Sequence, residues 1–283
     1  MNESKKTQRV WLVTGASRGL GAEIARAALA AGDAVVATAR DPKKLTAQLG
    51  TSDAMFPVAL DVTAEASVAA AVEAAVARFG RIDVLVNNAG YGLLGAVEET
   101  PAEEVRRIYE TNVFGLLAVT RAVLPQLRKQ GAGHILNLSS VGGYQSGAGF
   151  GVYCSTKFAV EGLSEALHAE LAPLGIDVTV IEPGYFRTEF LESQSVVETK
   201  SLGVYGATAD KVREGARAVS LQQPGDPERL AQAVLELVSR EGTKPVRLPL
   251  GTDTVAAIEA KHAFVTEELA SWRSVATSTD FPH

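Results

Sequence analysis

Short runs of aliphatic and β-branched residues alternate with alanine-rich helical stretches through most of the chain, and this alternation restricts the fold more than any other feature. Arg9–Thr14 reads as a strand, followed by a glycine-rich turn and an apolar helical pattern over Leu20–Ala31. Ala34–Ala39 precedes a helical stretch at Pro42–Leu49, Met55–Leu60 precedes Ala64–Phe79, and the short Asp83–Val86 precedes a long helical stretch from Pro101 to Lys129. Pro101 suits a first helical turn, where its missing N–H costs nothing. His134–Leu138 leads to the helical Gly151–Ala172, and Ile176–Ile181 makes a sixth strand. Strands that are apolar on both faces need helices on both sides. The pattern therefore predicts an α/β fold of Rossmann type, a doubly wound parallel sheet.

Beyond Gly184 the periodicity weakens. Positions 185–224 are polar with scattered apolar residues, which predicts a mobile flap containing short helices. Asp226–Arg240 returns to a helix, Pro245–Leu250 adds a seventh strand, and Thr252–Trp272 reads as a C-terminal helix. With no internal repeat and no low-complexity linker, residues 1–283 are read as a single domain.

Such sheets bind ligands beyond the carboxyl ends of their strands. Gly15, Arg40, Asp61, Asn87, Ser140 and Pro183 each directly follow a strand. Thr14–Gly21 (TGASRGLG) joins the first strand to the first helix, where glycines let the backbone approach a pyrophosphate and the helix N-terminus supplies free N–H groups. The spacing G-x-x-x-G-x-G differs from G-x-G-x-x-G but works by the same mechanics. A glycine turn that only packs helix on strand is the plainer alternative.

Charge points to the kind of dinucleotide. Enzymes that use NAD place Asp or Glu at the end of the second strand to hold the ribose hydroxyls. Here Ala39 occupies that place, Arg40 follows it, and Arg18 lies inside the glycine loop. Two guanidiniums suit a 2′-phosphate, so NADP is expected in preference to NAD. Asp41 could turn inward and oppose this, and Arg40 could be a solvated surface residue.

Tyr153 and Lys157 are four residues apart in a helical stretch and share a face. A free phenol has a pKa of about 10 and is a poor acid or base at neutral pH. An adjacent ammonium would bring that value toward the working range. Ser140, thirteen residues before Tyr153, could hold a carbonyl oxygen against the phenol. Ser139 adjoins it but points to the opposite side of the strand end. Alone, Y-x-x-x-K is a weak signal, since most such pairs are exposed helix neighbours.

The net charge of −6 argues against a nucleic-acid partner. One cysteine, Cys154, excludes an intrachain disulfide, and the four histidines are too scattered to bind metal. The polar Met1–Arg9 segment is no secretory signal, and no apolar run approaches the ~18 residues of a membrane span, so a cytoplasmic location is expected.

Together these residues resemble the short-chain dehydrogenase/reductase family in its shorter branch, over about Arg9 to Thr188. Thr14–Gly21 is similar to its TGxxxGxG motif, and Asn87–Gly90 to its NNAG. The resemblance implies that Gly15, Ser17, Arg18, Gly19, Leu20, Gly21, Arg40, Asn88, Ala89 and Gly90 line the cofactor cleft. It implies that Asp61 and Val62 contact the adenine, and that Pro183, Gly184 and Thr188 hold the carboxamide. Tyr153 would exchange a proton with the substrate oxygen, Ser140 would hydrogen-bond that oxygen, and Lys157 would bind the nicotinamide ribose and depress the Tyr153 pKa. Asn112 would hold a water linking Lys157 to solvent; a mid-helix asparagine is also consistent with a helix-bending residue. Hydride would pass directly between the nicotinamide ring and the substrate carbon.

The expected substrate wall comprises Tyr91, Leu93, Gly142, Gly143, Gln145, Phe150, Tyr185, Phe190 and the flap. These residues are mostly apolar or small, which favours a neutral, hydrophobic ketone, aldehyde or secondary alcohol. Two other readings remain: a nucleotide-binding sensor without turnover, and an isomerase or dehydratase that uses the nucleotide transiently. The family resemblance also implies a homodimer or homotetramer.

Overall fold

The computed structural model describes residues 8–281; the polar residues 1–7 of the N-terminal segment and the last two residues lie outside this range. In chain order the elements are β1 (Val10–Val13), α1 (Gly19–Ala30), β2 (Ala34–Ala39), α2 (Pro42–Leu49), β3 (Met55–Ala59), α3 (Glu65–Phe79), β4 (Val84–Asn87) and β5 (Gly92–Leu94). They continue with α4 (Ala102–Tyr109), α5 (Leu116–Gln130), β6 (Gly133–Leu138), α6 (Gly151–Leu171), β7 (Ile176–Pro183), β8 (Val196–Glu198), α7 (Ala209–Val219), α8 (Pro227–Ser239), β9 (Arg247–Leu250) and α9 (Thr252–Thr277). Among the described residues, no helix is long and apolar enough to cross a membrane.

Seven strands form one parallel sheet in the order β3-β2-β1-β4-β6-β7-β9. Successive side chains on a strand point to opposite faces. Trp11 and Val13 accordingly join the layer under α1 and α8, with Ile24, Val35, Leu230 and Val234. Val10 and Leu12 join the layer under α3 and α5, with Val72, Val123, Ile135 and Val178. This is the doubly wound sheet with helices on both faces that the alternation predicted. From β1 the chain winds outward to β2 and β3, then returns to β4 on the other side. The loops after β1 and β4 therefore diverge, leaving a crevice between them.

A polar chain crosses the middle of the sheet. Asn87 Nδ2 donates to Thr120 Oγ1 (2.9 Å) and to Asn137 Oδ1 (2.9 Å), and Asn137 Nδ2 donates to Ser164 Oγ (2.8 Å). All four residues are buried, and these bonds hold β4, β6, α5 and α6 in one register.

Two stretches depart from the sequence expectation. The single helix expected over Pro101–Lys129 is interrupted between α4 and α5 by a wider, π-type turn at Glu110–Gly115. Asn112 in that turn is drawn toward the β4–β5 segment: its Nδ2 donates to Tyr91 O (2.9 Å) and its Oδ1 accepts from Tyr91 N (3.1 Å). Gly115 lets the turn approach Val62, since a Cβ there would lie 2.6 Å from Val62 Cγ2.

The flap segment is more ordered than its composition suggests. β8 pairs in parallel with β5, Glu189–Leu191 forms a tight 3₁₀ turn, and α7 follows. Arg213 of α7 fixes this segment to the body. Its guanidinium is buried, with Nη2 2.6 Å from Glu99 Oε2, Nε 3.6 Å from Glu198 Oε1, and a third contact to Asp210. These bonds hold the Glu99 carboxyl far down, at about 2. Losing one partner of a buried pair strands the other charge. Arg213→Ala is expected to cost about 3–5 kcal/mol, and hydrogen exchange should become faster in β8 and α7 before it does in β1 and β4.

Candidate active site

The crevice above β1 and β4 is built from the glycine loop upward. Thr14 Oγ1 accepts from the backbone N–H groups of Asn88 (2.9 Å) and Ala89 (2.9 Å), and Asn88 Nδ2 donates to Thr14 O (2.9 Å) and Gly15 O (3.1 Å). The loops after β1 and β4 are thereby joined into one floor. A Cβ at Gly21 would lie 2.3 Å from Asn88 Nδ2 and 2.7 Å from Gly15 O, so no side chain fits there without displacing that floor. Gly15 has φ +66°, a conformation that favours glycine. The first N–H groups of α1 lack helical partners. No acidic side chain stands in its first turn, and the Arg18 side chain does not cap it. Arg18 Nη2 donates instead to Gln194 O of the flap (2.5 Å).

At the end of β2, Arg40 is exposed and Ala39 is buried. The Asp41 carboxylate caps α2, its Oδ1 accepting from Lys43 N (3.1 Å). Asp61 accepts from Thr63 N (3.0 Å) and Thr63 Oγ1 (2.7 Å); these bonds hold its carboxyl below the usual range, and the Arg40 charge adds to the effect.

The other end of the crevice is lined from α6. Tyr153 lies in the first turn of α6, only 7% exposed, between the rings of Phe150 (centroids 6.1 Å apart) and Phe190 (5.8 Å). Ser140 begins the turn after β6, where its Oγ accepts from Gly142 N (3.1 Å) and stands within reach of the Tyr153 hydroxyl. Lys157 is buried, with Nζ donating to Leu138 O (2.7 Å) and lying 5.8 Å from the Tyr153 ring centroid.

The electrostatics differ from the simplest expectation. Burial disfavours the phenolate and pushes the Tyr153 pKa up, with Ser140 acting weakly in the opposite sense. Burial also brings Lys157 down to about 8, against a smaller upward pull from Glu161. Desolvation, not the lysine's charge, dominates at Tyr153, and Lys157 Nζ is engaged with the Leu138 carbonyl. The phenol is therefore a protonated acid at neutral pH.

One cleft of about 1170 Å³ runs from the glycine loop to the flap. It is bordered by Ser17, Leu20, Arg40, Asp61, Val62, Gly90, Ser140, Tyr153, Lys157, Pro183, Gly184 and Thr188, and on the substrate side by Tyr91, Gly142, Gln145, Phe150, Tyr185 and Phe190. Four residues expected at the cleft lie behind its wall. Gly21 is buried against Asn88, and Gly143 against Ser139 and Glu161, because both backbones are packed too tightly to leave an open face. Leu93 is enclosed with Ile108, Val152 and Tyr153, since β5 turns it inward. The Asn112 side-chain amide bonds the Tyr91 backbone and Thr156 Oγ1 (3.2 Å), so its side chain positions the wall.

Within the flap, which the sequence placed at the wall as a whole without singling out these residues, Val196, Val197 and Val212 close the apolar end of the cleft. No local pattern marks them, because their placement depends on β8 pairing with the distant β5. Arg107 also borders the cleft but is paired with Glu104 at 2.7 Å.

Residues 9–198 match the family model described as short chain dehydrogenase. The chain is 40% identical to oxidoreductase BOA17 of Botryotinia fuckeliana, over 96% of this chain and 99% of that protein. It is 36% identical to a 3-ketodihydrosphingosine reductase of Bacteroides thetaiotaomicron, over 86% of this chain and 88% of that one. A crystal structure of a short-chain dehydrogenase from Streptomyces avermitilis superposes with a TM-score of 0.90 at 42% identity, covering 97% of this chain and all 100% of the other. A 3-ketoacyl-(acyl-carrier-protein) reductase from Brucella melitensis, solved with NADH, superposes with a TM-score of 0.70 at 32% identity, covering 86% and 96%.

Gly21→Ala is expected to destabilise the fold by about 1–3 kcal/mol through overpacking, as a lower denaturant midpoint with unchanged slope. Gly32→Ala, by contrast, would meet no atom within 4 Å and bears only the strain of its φ of +86°.

Proposed function

The chain belongs to the short chain dehydrogenase family, and from that premise we propose that it is an NADP(H)-dependent oxidoreductase acting on a neutral, hydrophobic ketone or secondary alcohol. The observation that carries this reading is the convergence of Ser140, Tyr153 and Lys157 at one end of a cleft whose other end is a glycine-walled helix N-terminus.

The residues present fit a dinucleotide. Gly15, Gly19 and the free N–H groups of α1 would hold the pyrophosphate. Asp61 and Val62 would border the adenine, Lys157 the nicotinamide ribose, and Thr188 the carboxamide. Support for NADP comes from Arg40 and Arg18, with the adjacent Asp41 carboxylate occupied in capping α2 and that of Asp61 held by Thr63. One solved relative carries NADH and another, a serine dehydrogenase, NADP+, so relatives use either cofactor and the local charge of this chain is the argument for NADP. When bound, the dinucleotide supplies or accepts the hydride.

The chain's own residues handle the proton. Ser140 and Tyr153 would bracket the substrate oxygen. In the reductive direction Tyr153 gives its proton to that oxygen as negative charge develops there, and the Lys157 ammonium stabilises the resulting phenolate. A phenol kept protonated by burial suits this direction. Tyr91, Phe150, Phe190, Val196 and Val212 give the pocket an apolar wall, and Arg107 is neutralised by Glu104, which favours an uncharged substrate. Kinship with a protein named 3-ketodihydrosphingosine reductase supports a keto substrate.

Tyr153→Phe should lower kcat for ketone reduction by about 10²–10⁴-fold while leaving dinucleotide binding intact. Failure of the substitution to change any turnover would instead favour a sensor, and product formed without net oxidation of the dinucleotide an isomerase or dehydratase.

Arg40→Asp should weaken NADPH relative to NADH by about 10- to 100-fold in kcat/KM, since opposite charges at ~4 Å attract by about 4 kcal/mol before desolvation. A higher kcat/KM with NADH in the unaltered protein would refute the cofactor assignment.

The pH dependence follows from Lys157, whose charged form is present below its pKa and lost above it. The reductive kcat should hold through neutrality and fall as pH rises through about 8. A rate that rises through that range would contradict the assigned roles.

A further inference from the structure

Between α6 and strands β7 and β9, on the helix face that also carries Lys157, two glutamates are buried together with one guanidinium between them. Glu161 stands one helical turn beyond Lys157, and Glu182 immediately precedes Pro183 on β7. Glu182 is 0% exposed and Glu161 only 4%. Arg247 Nε of β9 lies 3.1 Å from Glu161 Oε2 and 3.1 Å from Glu182 Oε1, while its Nη2 turns outward to Glu165 at 2.6 Å. Ser139, at the end of β6, faces Glu161, and its neighbour Ser140 faces Tyr153. Tyr144, in the turn after Ser140, stacks against Arg247 with the guanidinium 5.8 Å from its ring centroid, and its hydroxyl contacts His262 of α9. Lys157 and Glu165 of α6, Arg247 of β9, and Tyr144 with His262 are thus the charged and titratable groups arranged around the pair.

The charge count does not balance if both carboxyls are ionised. Two anions would share one N–H of one guanidinium in a site closed to water, and Arg247 is already divided with Glu165. Glu161 Oε1 and both oxygens of Glu182 lack a hydrogen-bond partner. A proton on one carboxyl, donated to the other, removes the excess charge and gives an oxygen on each residue a partner. Burial drives both groups upward from the ordinary carboxylate range, and the Glu161 charge drives Glu182 further. The Glu161 charge acts on Lys157 in turn and favours its ammonium form.

We propose that Glu161 and Glu182 share one proton at neutral pH and act on the reaction as positioning residues, fixing the charge behind Lys157 and the seat of the Ser139–Ser140 turn. The first half stands on the buried geometry alone, and the second rests on the roles of Tyr153 and Lys157 proposed above. With one proton the pair carries a single negative charge. That charge, held by Arg247, keeps Lys157 an ammonium and holds β7, α6 and β9 together behind the catalytic residues.

The test separates the two halves. Infrared spectra of the cofactor-free protein should show a protonated-carboxyl C=O stretch at neutral pH that shifts with ¹³C-carboxyl glutamate and disappears only at pH above the usual carboxylate range. Glu182→Gln and Glu161→Gln should each abolish it. Absence of the band from the unaltered protein, or its survival in both variants, overturns proton sharing whatever the enzyme's substrate. If either variant fails to fold, the isotope-shifted band of the unaltered protein decides that half.

For the second half, the reductive pH profile of Glu161→Gln should show its alkaline fall displaced to lower pH, because Lys157 loses its supporting anion. Glu182→Gln should leave that fall where it is or displace it upward, since Glu161 is then fully ionised. A purely structural pair would lower kcat in both variants without moving either profile, and that result overturns the coupling to Lys157.

Discussion

Removal of water from around Tyr153 and Lys157 is the constraint from which the chemistry of this protein follows. A lysine held on a backbone carbonyl in a dry site has a depressed pKa, and a phenol enclosed by two aromatic rings has a raised one. The shifts bring two groups of ordinarily similar basicity into separate roles, an acid that keeps its proton and a cation near its titration point. Everything around them maintains that dryness: the flap covers one side, the β5 and α4 region the second, and the paired glutamates close the back.

The sheet supplies the geometry that makes this burial possible. Parallel pairing with helices on both faces sends every β-to-α loop to one edge, and the reversal between β1 and β4 opens a crevice there. Thr14 and Asn88 join the two lips of that crevice, and the Asn87–Asn137–Ser164 chain fixes α6, with its tyrosine and lysine, to the same strands. One set of polar bonds thus sets the distance between the glycine loop and the acid–base pair.

The strands, the glycine loop and the tyrosine–lysine helix were legible in the sequence because each has a local signature: β-branched runs, glycines at a strand-to-helix turn, and a four-residue spacing. β8 was not, since Val196–Glu198 is too short to read and becomes a strand only by pairing with Gly92–Leu94. The π-type turn at Asn112 was hidden for a related reason: the residues fit a helix, and the distortion comes from a hydrogen bond to Tyr91. Arg213 and Glu182 illustrate the same limit. A charged residue in an amphipathic or strand-end position reads as solvated, and only the tertiary fold shows that it is enclosed. Leu93 failed in the opposite sense, placed at the cleft by proximity in sequence but turned inward by the pleat of β5.

The most direct measurement of the central claim is a crystal structure with NADP and an unreactive ketone analogue bound. The account predicts the ketone oxygen within hydrogen-bonding distance, about 2.6–3.2 Å, of both Tyr153 Oη and Ser140 Oγ, with Lys157 on the nicotinamide ribose. A ketone seated elsewhere in the cleft, or a Tyr153 hydroxyl turned away from it, would contradict the account.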